Sequence, residues 1–118
     1  MEVNKISSIV EPKKIEYLGD GTFYYNYDIV SNIVESNHDE GSHIEYSYVQ
    51  VREYGKPEYK VLVVDIIRKY INEDEEFDII NSYNRSILLG DAVNAESYIT
   101  YLNLIQTIKD KVRQDLSE

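Results

Sequence analysis

The chain has 118 residues, 42% hydrophobic and 29% charged, with a net charge of −10 and a pI near 4.6. These totals fit one folded domain that buries a core without staples, and they exclude wholesale disorder. Cysteine is absent, which rules out disulfides and thiolate chemistry, and the acidic balance argues against a nucleic-acid partner because phosphates would be repelled.

Residues 1–13 mix polar and apolar residues without a period and reach Pro12, which predicts a loose N-terminal arm. MEVNKISSIVEPKK lacks the apolar run of a signal peptide, and no later stretch approaches membrane-spanning length. A cytoplasmic protein with no membrane partner is the expectation.

Residues 14–54 read as a β-meander. KIEYLGDGTFYYNYDIV holds two strand-like runs joined at Gly19-Asp20-Gly21, where flanking glycines supply positive φ for a tight turn. ESNHDEGSH is a polar loop, and IEYSYVQVREY alternates as a third strand.

The period changes after Gly55, and residues 57–117 form the helical half. Tyr59, Leu62, Val63, Ile66, Ile67 and Tyr70 make an apolar stripe, with Pro57 placed as a first helical residue. The β-branched run VLVVDII also admits a buried strand over 61–67, but the stripe and the Arg68-Lys69 tail favour helix. Asn72 and Glu75 match a helix cap, Gly90 suits a helix end, and Phe77, Ile80, Tyr83, Ile87 and Leu88 form a second stripe. A third helix from about Asn94 carries Tyr98, Leu102, Ile105, Ile108 and Val112 on one side. The expected fold is a single α+β domain over 1–118, an N-terminal three-stranded antiparallel meander packed on two to three C-terminal helices.

Tyrosine is the compositional oddity: 12 tyrosines accompany 2 phenylalanines and no tryptophan. Alternation puts Phe23, Tyr25, Tyr27 and Ile29 on the core face and turns Tyr24 outward. In the next strand Ile44, Tyr46 and Tyr48 share one face, while Ser47, Val49 and Val51 share the other. A bulge near Tyr48 would bring both sets inward. Otherwise Tyr46 and Tyr48 stand in water with Tyr24 as an aromatic binding face, a use for which tyrosine's rigid contact area suits it. The plainer reading is that these rings fill a core edge and send their hydroxyls to solvent.

Motifs for chemistry are weak. His38, Asp39 and His43 are the best metal candidates, yet a polar turn explains the same letters, and a calcium loop fails at Ser47, where an acid is needed. EDEEFD at 73–78 is accounted for by the positive end of a helix dipole, and Asn84-Arg85-Ser86, though a glycosylation match, falls inside a predicted helix. No phosphate loop or nucleophile elbow is present, so no catalytic residue and no cofactor is assigned.

YSYVQVREYGKPEYKVLVVDIIRKYINEDEEFDIINSYN, followed by ESYITYLNLIQTIKDKVRQDL, resembles small uncharacterised proteins encoded among bacteriophage and prophage tail-region genes of gut bacteria. The shared features are the aromatic-alternating strand, the turn Gly55-Lys56-Pro57, the helix with Ile66-Ile67-Arg68, and the acidic start of the next helix, over about 44–115. The resemblance implies a non-enzymatic structural or accessory component, associated with a virion. The expected function is therefore protein interaction or assembly through Tyr24, Tyr46 and Tyr48, with a protein partner or further copies in a homo-oligomer. Two competitors are an acidic DNA mimic that occupies a nucleic-acid enzyme, and a small-ligand or enzymatic domain with a pocket between sheet and helices.

Overall fold

The computed structural model describes residues 3–35, 41–90 and 95–117. In chain order these form β1 (Ile6–Ser8), β2 (Ile15–Tyr17), β3 (Thr22–Glu35), β4 (Ser42–Tyr54), α1 (Tyr59–Tyr70), α2 (Glu73–Leu89) and α3 (Glu96–Ser117). The architecture is α+β as expected. The sheet, however, has four antiparallel strands in the order β1-β4-β3-β2. The extra strand comes from the segment expected to be a loose arm: Ile6 pairs with Tyr48 and Ser8 with Tyr46.

The long β3–β4 hairpin is the backbone of the sheet, paired from Thr22↔Tyr54 to Glu35↔Ser42. At the β2–β3 turn Gly19 and Gly21 both hold positive φ. Asp20 between them accepts from the Thr22 N–H at 3.1 Å and from Arg52 Nη2 at 3.1 Å. Pairing then steps from Tyr27↔Val49 to Val30↔Ser47, so Asp28 and Ile29 together oppose Tyr48. The bulge anticipated near Tyr48 thus lies in the strand opposite it. Asp28 has φ 54, a conformation that aspartate tolerates better than most side chains. The extra residue lets β4 keep strict alternation: Ser47, Val49 and Val51 face the helices, while Tyr46, Tyr48, Gln50 and Arg52 face away.

β1 and β2 sit on opposite edges of the sheet, so residues 9–14 must cross one of its faces. They cross the face away from the helices. Asn26 alternates with the core residues Tyr25 and Tyr27 and points outward, yet it is buried, and its Nδ2 donates to the Lys13 carbonyl at 2.7 Å. Gln50 Nε2 donates to Asn26 Oδ1 at 3.0 Å from the neighbouring strand. Pro12 is buried as well. Three strand spacings amount to about 14 Å, within reach of six residues.

α1 starts at Tyr59 with Glu58 as its cap residue, so Pro57 precedes the helix instead of opening it. Its buried face is Leu62, Val63, Ile66 and Ile67, which settles 61–67 as helix. α2 follows the expected signals: Asn72 Oδ1 accepts from the Glu75 N–H at 2.8 Å, four acids fill the first turn, and Gly90 closes the helix at φ 68. Asn94, the expected start of the third helix, lies outside the described residues, and the helix begins at Glu96.

The core sits between the sheet and α1 and α3, built from Phe23, Tyr25, Tyr27, Val49, Val51, Leu62, Ile66, Ile108 and Val112. A polar tie crosses it: the buried Tyr25 hydroxyl donates to Asp115 Oδ2 at 2.5 Å, while Lys14 holds Asp115 Oδ1 at 3.4 Å. Burial, and then the Asp115 carboxylate, push the Tyr25 hydroxyl far above its ordinary range. The radius of gyration is 18.3 Å, against roughly 13 Å for a compact chain of this length. The excess comes from arms that project beyond the core.

Candidate interaction surfaces

The tyrosines named from sequence lie on the outer face of the sheet, but they do not make one patch. Tyr48 is only 7% exposed, which removes it from any binding face; it sits beside β1 and shares its face with Asn26, where the 9–14 link crosses. Tyr24 and Tyr46 are half-buried on either side of it. Tyr24 pairs with Glu16 and Arg52, and Tyr46 with Ser8 and Ser31. The chain covers with its own N-terminal segment the surface that alternation offered to a partner. Tyr46 does border an open apolar hollow with Ile9, His43 and Ile44, and Ile33 on the paired strand is mostly exposed.

The larger exposed apolar surface is on the helices. The stripe predicted for α2 exists, but of its members only Ile80 and Tyr83 are half-buried; among the described residues nothing covers the rest, with Phe77 59%, Ile87 54% and Leu88 83% exposed. No residue of α2 is buried. Helices of this length are marginal in water unless an amphipathic face is packed. α2 is held at its base and along one edge. Arg68 Nη2 of α1 donates to Glu76 Oε1 at 2.9 Å, and the Tyr101 hydroxyl of α3 donates to Glu76 Oε2 at 2.6 Å. Burial raises the Glu76 carboxyl, but the Tyr101 and Arg68 hydrogen bonds outweigh it and hold the group below its usual range. Burial and Glu76 together lift the Tyr101 hydroxyl to about 12. Farther out, the Tyr83 and Tyr98 rings meet edge to face at 4.2 Å between centroids. On α3, Leu102, expected within the packed stripe, is 48% exposed, and Ile99 is 55% exposed.

A groove of about 360 Å³ opens between β4 and α1, lined by Val51, Arg52, Glu53, Asp65, Arg68 and Lys69. Glu53 shares the inward face of β4 and hydrogen-bonds the Asp65 carboxyl across the groove. A bond between two carboxyls needs a shared proton, and Asp65 Oδ2 is buried with no hydrogen-bond donor among the described residues. The Asp65 hydrogen bond, burial and the Asp65 charge raise the Glu53 carboxyl to about 7. Sequence reasoning passed over this pair. The available signal was an acid at an inward-facing position two residues beyond Val51, opposite a helix whose apolar run contains one aspartate.

Of the metal candidates, His43 is exposed on β4, and His38 and Asp39 lie outside the described residues. Among the described residues no three metal-ligating side chains cluster, and no helix is long and apolar enough to cross a membrane. Compared with protein-family models, curated proteins and solved structures, the chain matches none.

Proposed function

We propose that this chain is a non-enzymatic protein-interaction or assembly protein that binds through the apolar surfaces of its projecting arms instead of the tyrosine face of its sheet. The observation that carries the reading is α2, a helix with no buried residue and with Phe77, Ile87 and Leu88 in water. Exposed apolar surface of this extent on one element marks a contact site. The end of the β-hairpin, with Ile33 and Ile44, offers a second, smaller one. A virion or tail assembly is the setting implied by the resemblance over residues 44–115. The test is photo-crosslinking in the source cells, with a photoreactive residue placed at Leu88 or at Ile33 in the full chain. Discrete polypeptide adducts support the reading, and their absence at both positions sinks it.

A further inference from the structure

We propose that the partner of the α2–α3 face is a second copy of this chain, forming a four-helix layer in which α2 lies antiparallel on the α2 of the other protomer. The inference rests on the interaction reading above and names the occupant of its main surface.

Helical geometry puts most of the exposed apolar residues on one side, with Leu89, 60% exposed, lying off it. At 100° per residue, Phe77, Ile80, Asn84, Ile87 and Leu88 lie roughly 110° round α2 from the edge that meets α3, marked by Ile79, Tyr83 and Ser86. Ile99 and Leu102 lie about the same angle round α3 from Tyr98 and Tyr101. The contacts Glu76–Tyr101 and Tyr83–Tyr98 make the two helices antiparallel. Equal rotations on antiparallel helices carry both stripes to the same side of the pair. The result is one continuous apolar face across the hairpin.

Three features favour a second copy as its cover. The first is charge. In a chain of net charge −10, residues 79–108 of the outer hairpin carry only Arg85, Asp91 and Glu96. Two acidic protomers therefore meet with little like-charge repulsion at the contact, and depletion of charge with retention of aromatics is the composition of interface centres. The second is area. Phe77, Ile87, Leu88, Ile99 and Leu102, at 48% to 83% exposure, leave on the order of 100 Å² each, or about 500 Å² per protomer; a standard interface buries about 800 Å² per partner, of which some 450–520 Å² is apolar. The third is symmetry. A two-fold axis perpendicular to the helices lays α2 on α2 and α3 on α3 and sends the two sheet bodies to opposite ends, which suits a protomer 61 Å long with a projecting hairpin. Asn84, near the middle of the α2 stripe, then faces its own copy, and its amide both donates and accepts. A lone asparagine in such a stripe fixes register.

Sedimentation of the full chain between 1 and 200 µM tests this, with the expected species at twice 13.8 kDa. A Leu88→Glu, Ile87→Glu double variant with unchanged circular dichroism is expected to sediment as monomer, at least 100-fold weaker in self-association. Because the chain has no cysteine, Asn84→Cys is expected to give a disulfide-linked dimer on mild oxidation, whereas Tyr54→Cys, exposed on the sheet, is not. That pair keeps the test open if the double variant does not fold. Wild-type protein monomeric throughout, or equal cross-linking at both cysteines, overturns self-pairing. A monomer that still gives adducts of another protein at Leu88 overturns self-pairing alone and leaves the interaction reading standing.

Discussion

Replacing Glu53 with glutamine reports directly on the carboxyl pair between β4 and α1. With its carboxyl raised from 4.5 to about 7, Glu53 binds more proton in the folded state than in the unfolded state throughout that window. Stability is therefore greatest below about pH 4.5 for this group and is lost as pH climbs through 7, the reverse of an ordinary paired carboxylate. Unscreened, the shift corresponds to roughly 3 kcal/mol at about 1.4 kcal/mol per unit. The groove is open to water and flanked by Arg68 and Lys69 of α1, which reduces the interaction to about 1 kcal/mol. Glu53→Gln keeps the shape and offers the Asp65 carboxyl an N–H donor at every pH. Urea unfolding at pH 5 and pH 8 measures the outcome. The wild type is expected to lose about 1 kcal/mol relative to the variant between the two pH values, leaving the variant the more stable at pH 8. A variant that is less stable at pH 8, or that keeps the wild-type pH slope, refutes a shared proton.

Tyr25→Phe removes a buried donor from Asp115 and is expected to cost about 2 kcal/mol in urea unfolding, as for hydrogen bonds to charged groups; a loss under 0.5 kcal/mol would show that Lys14 alone satisfies the carboxylate. Asn26→Ala unties the N-terminal link from the sheet, so trypsin is expected to cut after Lys13 and Lys14 several-fold faster while far-UV circular dichroism holds. Unchanged cleavage would mean that the link is held elsewhere.

What the sequence made legible follows from which features are local. The β3–β4 hairpin, the capped start of α2 at Asn72 and the inward set Phe23, Tyr25 and Tyr27 are written in alternation, turn glycines and cap residues a few positions apart. β1 was not legible, because Ile6-Ser7-Ser8 has no pattern of its own and becomes a strand only by pairing with Tyr46–Tyr48 far along the chain. Tyr48 illustrates the same limit from the other side. Alternation places it correctly away from the helices but is silent on the N-terminal segment that buries it. For α2 the period revealed a stripe, and a stripe says that a face wants cover without saying whether the same chain provides it. The Glu53–Asp65 pair arises from packing a strand on a helix and leaves almost no trace in either segment alone.

The strand order has a bearing on how the polypeptide matures. Residues 6–17 leave the ribosome before residues 22–54, yet they take up the two outside positions of a sheet whose middle those later residues make. They have nothing to add to until that middle exists, so during synthesis they wait as an unpaired leader. Until the leader closes over it, the nascent hairpin shows two bare rims and an uncovered ring at Tyr48. A bulky fusion attached ahead of residue 6 would delay that closure and is expected to lower the soluble yield more than the same fusion placed after residue 117.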